Sequence, residues 1–310
     1  MRICIVGCGA MGSIYAALLS SAGHEIIAVD PNAEHVNAIN AHGLRVWGAS
    51  GDRRVHIRAC VEPPEHSVDL VVCAVKARFI AAAAASLAPL LGPSTRVLTI
   101  QNGLGSAEVV AQAVGPDRLI VGVAQGFGAS LPAPGCAHHN DMKAIRMGAY
   151  AGLDPAIVEE IVTLWAAAGF DTTTATDIAA LQWEKLICNV AYSAPCAITG
   201  LTVGGVMQHP RVGTVSRAAA REAYDIARAA GIALSFEDPV QTVQEFAGRM
   251  PDAKPSVLLD LEAGRPSEVG VINGAVPREA AKLGRTAPVN ATLTALVETL
   301  ERPANEVATT

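Results

Sequence analysis

The sequence is poor in several features that mark particular classes of protein. Aromatic residues make up 4% of the 310 residues and charged residues 17%, so small and aliphatic side chains must supply most of the packing. The formal net charge is −6, which argues against binding to nucleic acid or to an anionic membrane surface. No apolar run is long enough to span a bilayer. We therefore expect a compact, soluble protein with two domains.

Paired cysteines are also lacking. The seven cysteines include no C-x-x-C pair, and most have apolar neighbours, which is typical of reduced thiols in a cytoplasmic protein. Cys136 lies near His138 and His139, but this spacing matches no standard zinc pattern, and Pro132 and Pro134 predict a loop there. We therefore expect no bound metal at Cys136. The apolar N-terminus is broken by glycines and has no basic region, so we expect no signal peptide.

The first 30 residues carry a glycine motif in a specific context. An apolar run from Arg2 to Val6 predicts a strand, a helical pattern continues through Ala22, and residues 25–29 predict a second strand. The G-x-G-x-x-G motif between the first strand and the helix consists of Gly7, Cys8, Gly9, Ala10, Met11 and Gly12. This arrangement predicts a dinucleotide site, with the pyrophosphate at the start of the helix.

Asp30 ends the second predicted strand, 18 residues after Gly12. A carboxylate at this place accepts hydrogen bonds from ribose hydroxyls and repels a 2′-phosphate. No Lys or Arg follows until Arg45. The residues therefore predict a preference for NAD(H), with NADP(H) as the alternative.

Strands and helices alternate up to about residue 176. Further strands are predicted at 68–75, 96–100, 119–123, 144–148 and 170–175. Lys76 and Asn102 follow two of them, and ligands of open parallel sheets bind beyond the carboxyl ends of the strands. We therefore place Lys76 and Asn102 at the cofactor cleft.

The pattern after residue 176 is helical only. Helices are predicted at 178–193, 210–230, 235–248, 268–283 and 288–301. The fold class is thus an α/β Rossmann-type parallel-sheet domain at 1–176, followed by an all-α substrate domain at 177–310 of the 6-phosphogluconate-dehydrogenase-like kind. The apolar helices of the second domain suit a homodimer or, equally, a buried core.

Lys185, Asn189 and Ser193 fall at i, i+4 and i+8 of the first of these helices and therefore share one face. A lysine on a mostly apolar helix is costly to bury unless its charge has a partner or a chemical role. The alternative is a lysine that extends its ammonium to solvent.

Taken together, the motifs resemble those of the ketopantoate reductases (2-dehydropantoate 2-reductases). The resemblance extends over essentially the whole chain. It rests on GCGAMG at 7–12, VK at 75–76, QNGLG at 101–105, Lys185 with Asn189, and the pair Ser256 and Glu268. The last three features are more specific than the glycine motif, which many dehydrogenases share.

The resemblance implies a role for each matching residue. Lys185 is similar to the general acid that protonates the substrate carbonyl oxygen, and Glu268 to the carboxylate near nicotinamide and substrate. Asn189, Ser256 and Asn102 are similar to residues that bind substrate, and Lys76 to one that contacts the cofactor.

Two residues depart from the family pattern. Ser193 stands where the family usually has a second substrate-binding Asn, and Asp30 stands where it usually has a basic residue for NADP. Three functions remain open on these grounds. They are reduction of ketopantoate to pantoate, an NAD-dependent D-2-hydroxyacid dehydrogenase of the D-mandelate type that acts on other branched or aromatic 2-oxo acids, and an NAD(H)-sensing protein without turnover.

Overall fold

The computed structural model describes residues 1–126, 128–142 and 144–301. Contacts divide the chain into two compact units. The first contains Met1–Gln101 and Ser106–Ile178, and the second contains Asn102–Gly105 and the residues from Ala179 onward.

In its described part, the first unit contains the strands and five of the α-helices. Its strands are β1 (Arg2–Val6), β2 (Glu25–Val29), β3 (Leu44–Gly48), β4 (Arg53–Val55), β5 (Arg58–Cys60), β6 (Leu70–Cys73), β7 (Arg96–Thr99), β8 (Leu119–Gln125), β9 (Gly128–Ala133), β10 (Cys136–Asp141), β11 (Ala144–Ala149) and β12 (Asp171–Thr174). Its helices are α1 (Ala10–Ser21), α2 (Ala33–His42), α3 (Ile80–Ala85), α4 (Ser106–Val114) and α5 (Pro155–Ala167).

The larger sheet has eight strands in the order β12-β11-β8-β7-β6-β1-β2-β5. The six adjacent strands β8, β7, β6, β1, β2 and β5 pair in parallel, and β11 pairs antiparallel with β8. The chain starts at β1, adds β2 and β5 on one side, and then adds β6, β7 and β8 on the other. This is the strand order of a Rossmann sheet. The side on which new strands are added changes at β1, and ligands of such sheets bind at this point.

A second sheet with the order β4-β3-β10-β9 packs against α1 and was not predicted from the sequence. Pro132 and Pro134 indicated a loop, but Pro132 lies in β9 at the edge of this sheet, where proline is tolerated. Cys136, His138 and His139 consequently lie on strand β10 and not in a loop.

In the described part of the second unit, the regular secondary structure is helical. Its helices are α6 (Ile178–Thr199, whose first residue belongs to the first unit), α7 (Val203–Gln208), α8 (Val212–Ala229), α9 (Pro239–Gly248), α10 (Ser256–Glu262), α11 (Ala275–Lys282) and α12 (Pro288–Leu300). The predicted class, a Rossmann-type domain followed by an all-α domain, is confirmed. Among the described residues, no helix has both the length and the apolar character needed to cross a membrane.

The helix predicted at 268–283 is wrong in its first half. A short 3-10 helix occupies Val269–Val271, and α11 starts only at Ala275. The carbonyl of Val271 accepts a hydrogen bond from the N–H of Leu104 at 3.1 Å, and Asn273 is fully buried. This tertiary contact, together with Gly270 and Gly274, favours a break over a continuous helix.

Candidate active site

The glycine turn joins β1 to α1 in the first unit. Gly7 has φ +91°, and a Cβ atom there would lie 2.6 Å from the backbone nitrogen of Val75, so only glycine fits. The N–H groups of Gly7 and Cys8 both donate to the carbonyl of Val29, at 2.8 and 3.0 Å. These bonds fix the turn to the end of β2.

The start of α1 is suited to bind an anion. Gly9 is the N-cap, and in the described part of the chain no side chain caps the first turn, which contains Ala10, Met11 and Gly12. A Cβ atom on Gly9 would have no described atom within 4 Å, whereas one on Gly12 would collide with the carbonyl of Gly7. The free N–H groups, the helix dipole and the open space at Gly9 fit the pyrophosphate of a dinucleotide.

His35 on α2 also contacts this turn, although no sequence motif points to it. The N–H of Gly135 donates to Nδ1 of His35 at 2.9 Å, so Nδ1 is unprotonated and Nε2–H donates to the carbonyl of Cys8 at 2.9 Å. Ser13 Oγ donates to the same carbonyl at 3.1 Å. The thiol of Cys8 is buried, which raises its pKa to about 12 and keeps it protonated.

Asp30 directly follows β2 and is half-buried. Its Oδ1 accepts the N–H of Asn32 at 3.0 Å, and its own N–H donates to the carbonyl of Cys60 at the end of β5. Since β2 and β5 are parallel, Glu62 follows β5 at the same edge of the sheet. The carboxyl end of β2 is therefore acidic.

Lys76 and Gln101 lie beyond the neighbouring strands β6 and β7. Lys76 is half-buried and precedes the 3-10 helix Ala77–Phe79. Gln101 Nε2 donates to the carbonyls of Cys73 and Val75, at 2.6 and 3.2 Å, and so ties the ends of β6 and β7 together. The QNGLG motif contains Gln101, but the sequence alone does not predict this role.

Lys185 lies on α6 in the second unit, with Asn189 and Ser193 on the same face. Lys185 and Asn189 are half-buried, while Ser193 is 3% exposed. The helix continues six residues beyond its predicted end, through Pro195, which has no N–H to donate to the carbonyl of Ala191. Asn273 Nδ2 donates to the adjacent carbonyl of Val190 at 3.0 Å.

The ammonium of Lys185 donates to Oδ1 of Asn102 at 2.7 Å. Removal from water lowers the pKa of Lys185 to about 8, and the charge of Glu268 opposes this shift by raising the pKa. An amine with this pKa is largely protonated at neutral pH and still gives up its proton readily. It is suited to act as a general acid and to stabilise a developing oxyanion.

The structure thus brings three of the predicted site residues together: Lys185, Asn102 and Glu268. Ser256 is the exposed first residue of α10, and within the described residues its hydroxyl makes no hydrogen bond to these three. Gly7–Gly12, Asp30 and Lys76 belong to the first unit. No group of three or more side chains suited to hold a metal occurs in the described ranges.

Comparison with known families gives matches over both units. The model described as "Ketopantoate reductase PanE/ApbA" matches residues 3–152, and the one described as "Ketopantoate reductase PanE/ApbA C terminal" matches residues 177–301. The 2-dehydropantoate 2-reductase of Halobacterium salinarum is 30% identical over 304 residues, which cover 97% of this chain and 99% of that protein.

Solved structures show the same likeness. The PanE/ApbA family ketopantoate reductase from Ralstonia eutropha JMP134 is 31% identical, with a TM-score of 0.88 over 97% of this chain and 98% of that one. The ternary structure of D-mandelate dehydrogenase with NADH and anilino(oxo)acetate has a TM-score of 0.89 over 97% of this chain and 98% of that one. At 23% identity, the latter match shows a shared fold.

Proposed function

The chain belongs to the ketopantoate reductase family, and we propose that it reduces the C2 ketone of a 2-oxo acid, with ketopantoate to pantoate as the leading reaction. The observation that carries this proposal is the Lys185 ammonium. Its hydrogen bond to Asn102, the charge of Glu268 and its lowered pKa are the properties that proton donation to a ketone oxygen requires.

In the proposed reaction, a bound nicotinamide supplies the hydride. As the ketone is reduced, negative charge develops on its oxygen, and Lys185 stabilises this charge and delivers the proton. Asn102 holds the ammonium through its Oδ1 and thereby restricts the directions in which the proton is donated. Glu268 keeps the lysine protonated by raising its pKa.

Asn189 and Ser193 share the helix face of Lys185 and are proposed to contact the substrate. Within the described residues the side chain of Asn189 makes no hydrogen bond, so its amide is available to a substrate hydroxyl or carboxylate. Ser256 is proposed to bind the substrate carboxylate. Ser193 has a shorter reach than the asparagine usual in the family, which favours a substrate with more bulk at that position.

We propose NAD(H) as the preferred cofactor, with NADP(H) as the alternative. The carboxylate of Asp30 at the end of β2, with Glu62 following β5 at the same edge, supports this preference. Both charges disfavour the 2′-phosphate of NADP(H). The ratio of kcat/KM for NADH to that for NADPH tests the proposal, and a clear preference for NADPH contradicts it.

The second candidate is an NAD-dependent D-2-hydroxyacid dehydrogenase, and Asp30 and Ser193 are the residues that favour it. Steady-state kinetics with ketopantoate and with bulkier branched and aromatic 2-oxo acids, each with both nicotinamides, separates the two. The highest kcat/KM with ketopantoate supports the first function, and the highest value with an aromatic 2-oxo acid supports the second. NADH binding without turnover of any 2-oxo acid contradicts both and supports a sensor.

A further inference from the structure

Arg278 lies on the exposed side of α11, yet both terminal nitrogens of its guanidinium donate to backbone carbonyls. Nη1 donates to the carbonyl of Gly270 and, at 3.0 Å, to that of Gly274. Nη2 donates to the carbonyl of Leu104 at 3.2 Å. One side chain therefore joins two segments that are more than 160 residues apart in sequence.

Lys185, Asn102 and Glu268 form a cluster, called here the Lys185 cluster. Each of the two segments carries one residue of it. Leu104 lies two residues after Asn102, and Gly270 lies two residues after Glu268. Asn102 accepts the hydrogen bond from Lys185, and Glu268 supplies the charge that acts on it. The position of both groups relative to the ammonium depends on how the two segments are held together.

The two segments also contact each other directly. Leu104 N–H donates to the carbonyl of Val271 at 3.1 Å. Gly103 has φ +77°, and a Cβ atom there would collide with the same carbonyl. Arg278 adds charge-assisted bonds on either side of this contact, and its planar fork can reach both segments at once.

We propose that Arg278 is a positioning residue that holds Asn102 and Glu268 in place around Lys185 and thereby sets the strength of Lys185 as a proton donor. The proposal rests on the proposed function. It extends that function to a side chain that itself makes no hydrogen bond to Lys185, Asn102 or Glu268 in the described ranges. Sequence reasoning did not identify Arg278.

The test compares Arg278→Met, Arg278→Lys and a matched control, Arg228→Met. Arg228 is an exposed arginine at the end of α8 in the same unit, and its side chain makes no hydrogen bond within the residues that the structure describes. Methionine keeps the apolar stem of Arg278 and removes all its donors. Lysine restores a single charge that reaches the carbonyls near Gly270 but not that of Leu104 at the same time.

The first readout is the pH dependence of kcat/KM. Displacement of the Glu268 carboxylate weakens the interaction that raises the pKa of Lys185, so the alkaline fall in activity should move to lower pH. We expect a shift of roughly 0.5–1 unit for Arg278→Met and a drop in kcat of about tenfold. Arg278→Lys should lie between this variant and the wild type, and Arg228→Met should match the wild type.

The second readout is an NMR titration of ¹⁵N-labelled lysine, which follows Lys185 directly whether or not the protein turns over a substrate. The chain has five lysines, so the Lys185 signal can be assigned with a Lys185→Met sample. A wild-type protein without turnover overturns the proposed function. Variants at Arg278 in which Lys185 titrates as in the wild type overturn this inference, even if their Tm or kcat is lower. If Arg278→Met does not fold, Arg278→Lys decides by the same criterion.

Discussion

The glycine turn of the first unit and the Lys185 cluster of the second are built in opposite ways. The turn consists of six consecutive residues, and its shape follows from Gly7, Gly9 and Gly12 and from backbone hydrogen bonds. The Lys185 cluster consists of side chains from residues 102, 185 and 268, each on a different segment.

This difference separates the binding of the cofactor from the selection of the chemical step. A turn made of backbone N–H groups and open space binds an anion and does little to select the chemistry that follows. A lysine whose pKa is set by burial and one carboxylate, and whose ammonium is held by one amide, is adapted to a single proton transfer. Substitutions should therefore divide into those that change cofactor binding and those that change turnover.

The largest expected effect is that of Lys185→Met on turnover. Loss of the general acid should reduce kcat by about 10²–10⁴, while NADH affinity measured by fluorescence titration should stay within about twofold of the wild-type value. Lys254→Met is the matched control, because Lys254 is an exposed lysine of the same unit paired with Glu262 at 2.6 Å. Turnover of Lys185→Met within tenfold of the wild type would exclude Lys185 as the proton donor.

Substitutions in the glycine turn should have the next largest effect, on cofactor affinity. Gly7→Ala meets the backbone of Val75 and adds left-handed strain of about 1–2 kcal/mol, so it should lower both Tm and NADH affinity. Gly9→Ala has no described atom within 4 Å, so it should leave Tm unchanged and still weaken NADH binding by about tenfold, because its methyl group occupies the space for the pyrophosphate.

Gly23→Ala is the control for backbone strain alone. Gly23 has φ +90° and open space around it in the described structure, so this variant should lower Tm without changing NADH affinity. Unchanged NADH affinity in Gly9→Ala would mean that the pyrophosphate does not bind at this turn.

A smaller effect is expected on the choice between the two nicotinamides. Asp30→Asn keeps an oxygen for the N–H of Asn32 and removes the negative charge, so kcat/KM for NADPH relative to NADH should rise about tenfold. Asp69→Asn is the control, because Asp69 also accepts a backbone N–H, from Arg2 at 2.7 Å, at the opposite edge of the sheet. An equal ratio in Asp30→Asn and Asp69→Asn would contradict the assignment of Asp30 to the ribose.

The smallest expected effect is a shift of the pH profile in Glu268→Gln. Glu268 raises the pKa of Lys185, so its neutral isostere should move the alkaline fall in kcat/KM to lower pH by less than about one unit. Glu298→Gln, which changes another glutamate of the same unit, should leave the profile in place. A shift to higher pH in Glu268→Gln would show that the sign of the interaction is wrong.

Much of the first unit could be predicted from the sequence because its signals are local. The strands at 2–6 and 25–29 have the predicted bounds, since apolar runs and glycines mark their ends. The family resemblance is confirmed as well.

Features that depend on distant residues could not be predicted in this way. The break at 272–274 exists because Leu104 bonds to Val271 and Asn273 is buried against α6. His35 and Arg278 belong to no sequence motif. Their roles depend on hydrogen bonds to Gly135 and Leu104, which are distant in the sequence.

The most direct test of the account is the pH dependence of kcat/KM for reduction of ketopantoate, or of the best 2-oxo acid, by the wild-type protein. Lys185 must be protonated to donate, so the account predicts a plateau at lower pH and a fall above the pKa of about 8. The fall should be absent from the residual activity of Lys185→Met. A wild-type profile that stays flat to the ordinary pKa of lysine, about 10.4, would contradict the account.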